Sequence, residues 1–252
     1  MKNFLHALGA FAAFILAWQH AADAGWISPI LLPSPLAALK YFVSALRDGI
    51  LLSALWVTLS RLLIGYAMGT VGGLLLGFLF RTNHLVRNTL GLAALGLQTL
   101  PSVCWAPLAI LWFGQTEGAV YFVVVMGSLW SVAIAADSAF RAVPTIYLKA
   151  ARVMGSTGAH TWRTVIIPAA LPQMLGGAKQ GWAFAWRSLM SAEIYVTIIR
   201  RFGIGQLLHF GRELNAMDQV IAVMAVIVVV GFLIERMFFL PIERYLHRTR
   251  GI

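Results

Sequence analysis

The sequence predicts an all-α integral membrane protein with about six transmembrane helices, on three observations. Apolar residues make up 60% of the 252 and charged residues 11%, against roughly 45–50% and roughly 25% in soluble domains. Nineteen Lys and Arg with nine Asp and Glu cannot cover a 27.6 kDa chain with water-facing surface, and a mean hydropathy of +0.81 makes lipid the solvent of the rest. The apolar runs are long and lack the alternation of barrel strands, so the crossing elements are helices. At about 20 residues per crossing, six crossings use about half of the chain.

The first apolar segment, Phe4 to Trp18, follows Lys2. It is short enough for a signal peptide, but no clear small-residue cleavage site accompanies it, and it reads as a first membrane helix. Its removal would leave the orientation of the later spans unchanged. Next, Ser28-Pro29-Ile30-Leu31-Leu32-Pro33-Ser34-Pro35 packs three prolines into seven residues and opposes a helix. Up to Ile50 the chain reads as a loop followed by a short amphipathic helix, which makes 1–53 an N-terminal helix and extracytoplasmic connection. The remainder, 54–252, is a core of about five spans: Ala54 to Phe80, Asn88 to Phe113, Ala119 to Phe140, Thr164 to Ile198 and Ala216 to Leu240. The Thr164 span is too long for a straight crossing and either tilts or begins outside the hydrocarbon. Before it lies the most polar connection, 141–168.

Nine Trp and six Tyr suit a protein with two membrane interfaces. The single cysteine, Cys104, excludes an internal disulfide or a Cys-based metal cluster. A net charge of +10 reads as basic loops beside anionic lipid rather than as a nucleic-acid surface. With the N-terminus inside, about eleven Lys and Arg fall on the cytoplasmic side against about six opposite, Arg61, Arg200 and Arg201 among the six. That bias places both termini in the cytoplasm.

Absent motifs narrow the chemistry. No Gly-x-x-x-x-Gly-Lys-Ser/Thr loop is present to cradle ATP phosphates, so this chain binds no nucleotide by that route. His-Glu-x-x-His is missing and six scattered histidines make no metal site. Gly127-Ser128 has no companion His inside a span to activate a serine nucleophile. A catalytic residue is therefore not expected, and work done by the protein is driven by a partner.

Several span residues carry physical information. Gly69, Gly73 and Gly77 recur every four residues and form a smooth stripe for close helix approach, better suited to packing within the subunit than to a dimer interface. Pro101 and Pro107 interrupt the third span; a kink lining a pore and a purely structural kink are equal readings. Lys179, Arg187 and Glu193 are costly within a membrane and mark a path or a buried pair. On a helical wheel Lys179, Trp182, Trp186 and Glu193 fall within about 60° of one another, with Arg187 to one side. Lys179 and Glu193 lie about 21 Å apart along the axis and cannot pair with each other. One reading lines a translocation route with this face, where Lys179 or Arg187 eases passage of an anion. The alternative is snorkelling, or pairing with Asp137 or another helix.

The polar connection contains Lys149-Ala150-Ala151-Arg152-Val153-Met154-Gly155, with Pro168 thirteen positions after Gly155 and Ile167 before it. This resembles the "EAA" loop of ABC importer permeases, a Glu-Ala-Ala followed by Gly and Pro at these spacings. The resemblance extends over about 28–245, through Leu32-Pro33-Ser34-Pro35, Leu100-Pro101-Ser102, Trp105-Ala106-Pro107-Leu108, Leu111-Trp112-Phe113-Gly114, Pro168-Ala169-Ala170-Leu171-Pro172 and Gly203-Ile204-Gly205. These pieces are similar to those of permeases for nitrate, sulfonates and taurine.

The resemblance implies a type I importer permease fold in a bacterial inner membrane. It implies a homodimer, two ATPase subunits that use ATP and Mg, and an extracytoplasmic binding protein that delivers a small nutrient. Lys149 to Arg152, Met154, Gly155 and Pro168 belong to a coupling helix that docks on the ATPase. Small Ala150 and Ala151 let another surface approach, and Gly155 lets the chain turn. Lys149 departs from the family's Glu and reverses a charge there. Rival readings are a self-sufficient ion-coupled carrier or channel, and a membrane enzyme.

Overall fold

The computed structural model describes residues 2–26, 28, 30–199 and 201–250; Pro29 of the proline-rich stretch and Arg200 of the basic count lie outside the described residues. The described residues form helices joined by turns, with no strand among them. In chain order the helices are α1 (Lys2–Asp23), α2 (Pro35–Arg47), α3 (Ile50–Thr82), α4 (His84–Val86), α5 (Leu92–Thr99), α6 (Trp105–Phe113), α7 (Glu117–Ala142), α8 (Thr145–Val153), α9 (Gly158–Thr161), α10 (Ile167–Tyr195), α11 (Ile204–Glu213), α12 (Met217–Ile234) and α13 (Leu240–Arg250). Three π turns, Arg87–Gly91, Trp162–Ile166 and Glu235–Phe239, and a 3-10 turn, Ser102–Cys104, connect successive pieces.

Local chemistry sets the boundaries. Ser34 caps α2 by accepting from the Ala37 amide at 3.2 Å, with Pro35 at the first helical position. Asn83 caps α4 by accepting from the Leu85 and Val86 amides at 3.0 and 3.2 Å. Pro168 and Pro241 each follow a π turn closely. A proline has no N–H for the carbonyl four residues back, and its ring crowds that carbonyl; the wider turn upstream is where the ladder changes register.

Among the described residues, α3, α7 and the run Met217–Tyr245 are each long and apolar enough to cross a membrane. The pair His84–Thr99 and Ser102–Phe113 supplies a fourth if its two pieces make one span. The other two segments expected to cross, α1 and α10, do not meet that measure; Lys179, Gln180, Arg187 and Glu193 lower the hydropathy of α10.

The third span, expected over Asn88 to Phe113 with interruptions at Pro101 and Pro107, is broken into two pieces bent by 103°. They part at Leu100 and Pro101, whose ψ angles are 123° and 135°. A proline pushes the residue before it into extended backbone, so Pro101 dictates the conformation of Leu100. Pro107 does not interrupt the span. It is the third residue of α6, where helix amides have no carbonyl to reach and a proline costs little.

The chain divides into two compact units: the described residues of Met1–Thr58 with Ile199–Phe232, and those of Leu59–Ile198 with Leu233–Ile252. The first unit thus joins the N-terminal part to a later segment. It closes around Ala45, Leu51, Ala54, Ile204, Leu207 and Val223. The Ile204 amide donates to Thr58 Oγ1 at 2.8 Å, and Gln219 Nε2 donates to the Leu207 carbonyl at 2.7 Å.

The second unit is built on α7. Gly65, Gly69, Gly73 and Gly77 of α3 meet Val124, Ser128, Val132 and Ala136 of α7. A methyl group at Gly73 would stand 2.7 Å from Val132 Cβ and 2.8 Å from the Leu129 carbonyl oxygen, so only glycine permits this approach. From α10, Gly177 meets Ala135 and Gly181 meets Val132, while Gly127 of α7 receives Ser188. The glycine stripe therefore packs within the subunit. Leu62, Val120, Val123, Val124, Leu189 and Ala192 fill one end of the interfaces.

Candidate functional site

The break in the third span opens onto a cavity of about 240 Å³. Gln98, Thr99, Pro101, Ser102 and Trp105 line one side, Met126 and Gly127 of α7 the second, and Phe184, Arg187 and Ser188 of α10 the third. Within a membrane, non-helical backbone persists only where protein buries it or a polar cavity borders it. Here Pro101 forces the break, and Gly127 lets the Ser188 side chain of α10 approach closely, where a methyl group would overlap it.

Arg187 gives the cavity its charge. Its Nε donates to the Ala183 carbonyl at 3.0 Å, and its guanidinium carbon lies 4.8 Å from the centroid of the Phe184 ring. Among the described residues it has no carboxylate within ion-pair distance. Ser188 is 1% exposed, and its buried hydroxyl has no partner among the described residues. A buried donor left unmatched is costly, so the cavity is suited to a polar, negatively charged occupant.

The helix face expected to border the route is occupied otherwise. Lys179 Nζ pairs with Glu235 Oε1 at 3.0 Å and Glu243 Oε1 at 3.5 Å. Trp182 stands edge-on to Tyr66, ring centroids 5.1 Å apart, and lies 6.0 Å from Phe239, while Trp186 packs on the apolar core. Glu193 is wholly buried and accepts from Arg61 Nη1 at 3.0 Å. Arg61, 2% exposed, also donates from Nε and Nη2 to the two carboxylate oxygens of Glu117, both at 2.8 Å. Charges inside an apolar medium persist when matched, and that requirement turns Lys179 and Glu193 toward other helices. Of the charged residues singled out on α10, only Arg187 reaches this cavity, together with Pro101 from the third span.

The Arg61–Glu117–Glu193 cluster was not legible beforehand as a unit. Glu117 and Glu193 follow Arg61 by 56 and 132 positions. The available signal was one cation and one anion inside apolar runs and a second anion at the start of one. As the first residue of α7, Glu117 also lies at the positive end of the helix dipole.

The polar connection forms α8, ended by a Schellman turn. The Gly155 amide donates to the Arg152 carbonyl at 3.0 Å and the Ser156 amide to the Ala151 carbonyl at 2.9 Å, with Gly155 at φ +76°. Lys149, Ala150, Arg152, Met154 and Gly155 are exposed. Ala151 is not available to another surface as expected. It is 1% exposed, because helical spacing turns it inward beside Leu148, whereas Val153 is 88% exposed. Ile146 and Tyr147 add to the outward apolar surface, and Pro168 lies in the first turn of α10 rather than on α8.

Residues 69–240 match the family described as "binding-protein-dependent transport system inner membrane component". The chain is 31% identical over 221 residues to the putative aliphatic sulfonates transport permease protein of Escherichia coli K12, covering 88% of this chain and 83% of that protein. It is 28% identical over 233 residues to the taurine transport system permease protein of the same strain, covering 90% and 84%. Its fold is similar to a chain in the crystal structure of an amino acid ABC transporter, with a TM-score of 0.65 and 18% identity, covering 81% of this chain and 98% of that one. The permease subunits of this family are not enzymes, and ATP hydrolysis belongs to a separate subunit. The matched segment contains the glycine seam from Gly69 onward, the broken span with its cavity and the α8 connection, and on that extent the chain belongs to the inner-membrane permeases of binding-protein-dependent ABC transporters.

Proposed function

We propose that this permease carries a small organic or inorganic anion of the sulfonate, taurine or nitrate type, and that the anion passes Arg187. The single observation that supports this is the cavity at the broken span, where a cation without a carboxylate partner and an unmatched Ser188 hydroxyl face the same space. An anion leaving water needs charge-assisted donors to offset its desolvation, and Arg187 with Ser188 offers them.

In this reading two copies form the pathway, and an extracytoplasmic binding protein delivers the substrate. Two ATPases bind below, on the exposed face of α8 from Ile146 to Gly155. The 141–168 connection and both termini are cytoplasmic, while the part within 1–53 is the N-terminal helix and extracytoplasmic connection. The chain itself holds no cofactor; ATP and Mg are used by the ATPases. ATP binding draws the ATPases together, the motion enters through α8, and the pathway alternates between inward-facing and outward-facing states. Differential docking of the ATPase in the two states supplies the bias.

The test is uptake by the permease reconstituted with its ATPase and binding protein. Arg187→Gln should lower anion uptake while assembly and ATPase activity persist. Unchanged uptake would remove Arg187 from the pathway. Uptake that survives ATP depletion while an ion gradient remains would favour an ion-coupled carrier instead.

A further inference from the structure

A second polar cavity, of about 440 Å³, lies where α3 ends and α7 nears its C-terminus. Its lining separates by polarity: Arg87, Asn88, Asp137 and Ser138 on one part, Phe80, Leu92, Leu95 and Ile134 on the other. Leu95 lies about 12 Å along the helical run from Arg87, and Arg87 is at the end of that run next to the α3–α4 turn. Polarity therefore decreases from the membrane surface inward, the same gradient a phospholipid has from headgroup to acyl chain.

The local charge is unbalanced. Asp137 accepts from Arg141 Nε at 2.9 and 3.0 Å and more distantly from Arg87 Nε at 3.4 Å. One carboxylate is thus shared by two guanidinium groups, and the terminal nitrogens of Arg87 have no partner among the described residues. The π turn Arg87–Gly91 begins at this arginine and departs from the regular helical register at the cavity wall.

We propose that this cavity binds the headgroup of an anionic phospholipid, with Arg87 and Asn88 donating to its phosphate and an acyl chain lying along Leu92, Leu95 and Ile134. Basic pockets between helices at the cytoplasmic surface bind anionic headgroups in this way. A soluble phosphate would satisfy Arg87 but leave the exposed Leu92 and Leu95 uncovered, which favours lipid as the source of the charge. Its lining residues are distinct from those of the Arg187 cavity.

The test uses the permease–ATPase complex taken from vesicles of equal parts phosphatidylglycerol and phosphatidylcholine, with retained lipid counted by native mass spectrometry. Wild type should retain phosphatidylglycerol over phosphatidylcholine by about fivefold for the Arg87 contact, and Arg87→Lys should keep most of that preference. Arg87→Gln should fall toward parity. Asn88→Asp should do the same by placing an anion against the phosphate, and because Asn88 is exposed and outside the ion pairs this variant folds normally. Parity in wild type, or a preference unchanged in Arg87→Gln and Asn88→Asp, would overturn the proposal. So would thermal stabilisation by inorganic phosphate equal to that by phosphatidylglycerol, which would make the ligand a free anion.

Discussion

Arg61 and Glu193 meet at 3.0 Å although 132 positions separate them in the chain, and both are buried. Because Glu117 takes two further bonds from the same guanidinium, three helices, α3, α7 and α10, are fixed at one end by a single side chain. A planar fork of donors suits this role and an ammonium does not.

Removing Arg61 leaves Glu193 buried without a cation, a change that costs about 3–5 kcal/mol. Arg61→Gln should therefore lower the thermal stability of the solubilised protein much more than Arg163→Gln, which alters an exposed residue. Glu193→Gln should fall between them, since Arg61 keeps both bonds to Glu117. Equal losses for Arg61→Gln and Arg163→Gln would show that the cluster does not hold the helices.

The glycine seam makes a paired prediction. Gly73→Ala forces a methyl group into the α3–α7 contact and should destabilise by about 1–3 kcal/mol. Gly176→Ala adds a methyl group with nothing within 4 Å and should be neutral or stabilising by about 0.5–1 kcal/mol, the usual gain of Ala over Gly inside a helix. Thermal melts should therefore show a clear loss for Gly73→Ala and no loss for Gly176→Ala.

At Gly155 the constraint is backbone conformation, since a side chain there meets nothing within 4 Å. The left-handed φ costs an L-residue about 1–2 kcal/mol, and a β-branched one has no easy way to adopt it. Gly155→Val should weaken ATPase co-purification and uncouple ATP hydrolysis from uptake, while Gly155→Asn should retain more of both. Normal coupled uptake in Gly155→Val would separate the α8 turn from ATPase docking.

Lys179 and Arg187 should part in transport assays. Losing a hydrogen bond to a charged group costs about 1.5–3 kcal/mol, so Arg187→Gln should raise KM for the anion by tenfold or more. Lys179→Met, which removes pairs to Glu235 and Glu243, should lower stability and leave KM unchanged. A KM effect at Lys179 equal to that at Arg187 would assign both to the pathway.

Long apolar runs made most helices legible in the sequence. The expected Ala54 to Phe80 and Ala119 to Phe140 differ from α3 and α7 by a few residues at each end, because hydrophobicity extends over whole spans. The resemblance of Lys149 to Pro168 to the EAA loop located α8, and the interval of the glycines located the seam. What stayed illegible depends on direction in three dimensions. An interruption at Pro101 was legible, but not the 103° size of the bend nor that Pro107 sits within α6 without breaking it, and the inward turn of Ala151 required the packing beneath α8. A helical wheel placed Lys179 and Glu193 on one face but could not show the carboxylates and the guanidinium waiting on other helices.

The seam bears on how a push would travel. At the closest α3–α7 and α7–α10 approaches a glycine of one helix lies against a short or β-branched side chain of the other, Val124, Ser128, Val132, Ala135, Ala136 or Ser188, and contacts this close leave little room for one helix to slide past another. α7 runs about 39 Å at 1.5 Å per residue, from Glu117 beside Arg61 to Ala142 just before α8. A displacement entering beside α8 would be carried along this close-packed helix, whereas the stretch at Leu100 and Pro101 lacks helical backbone to carry it.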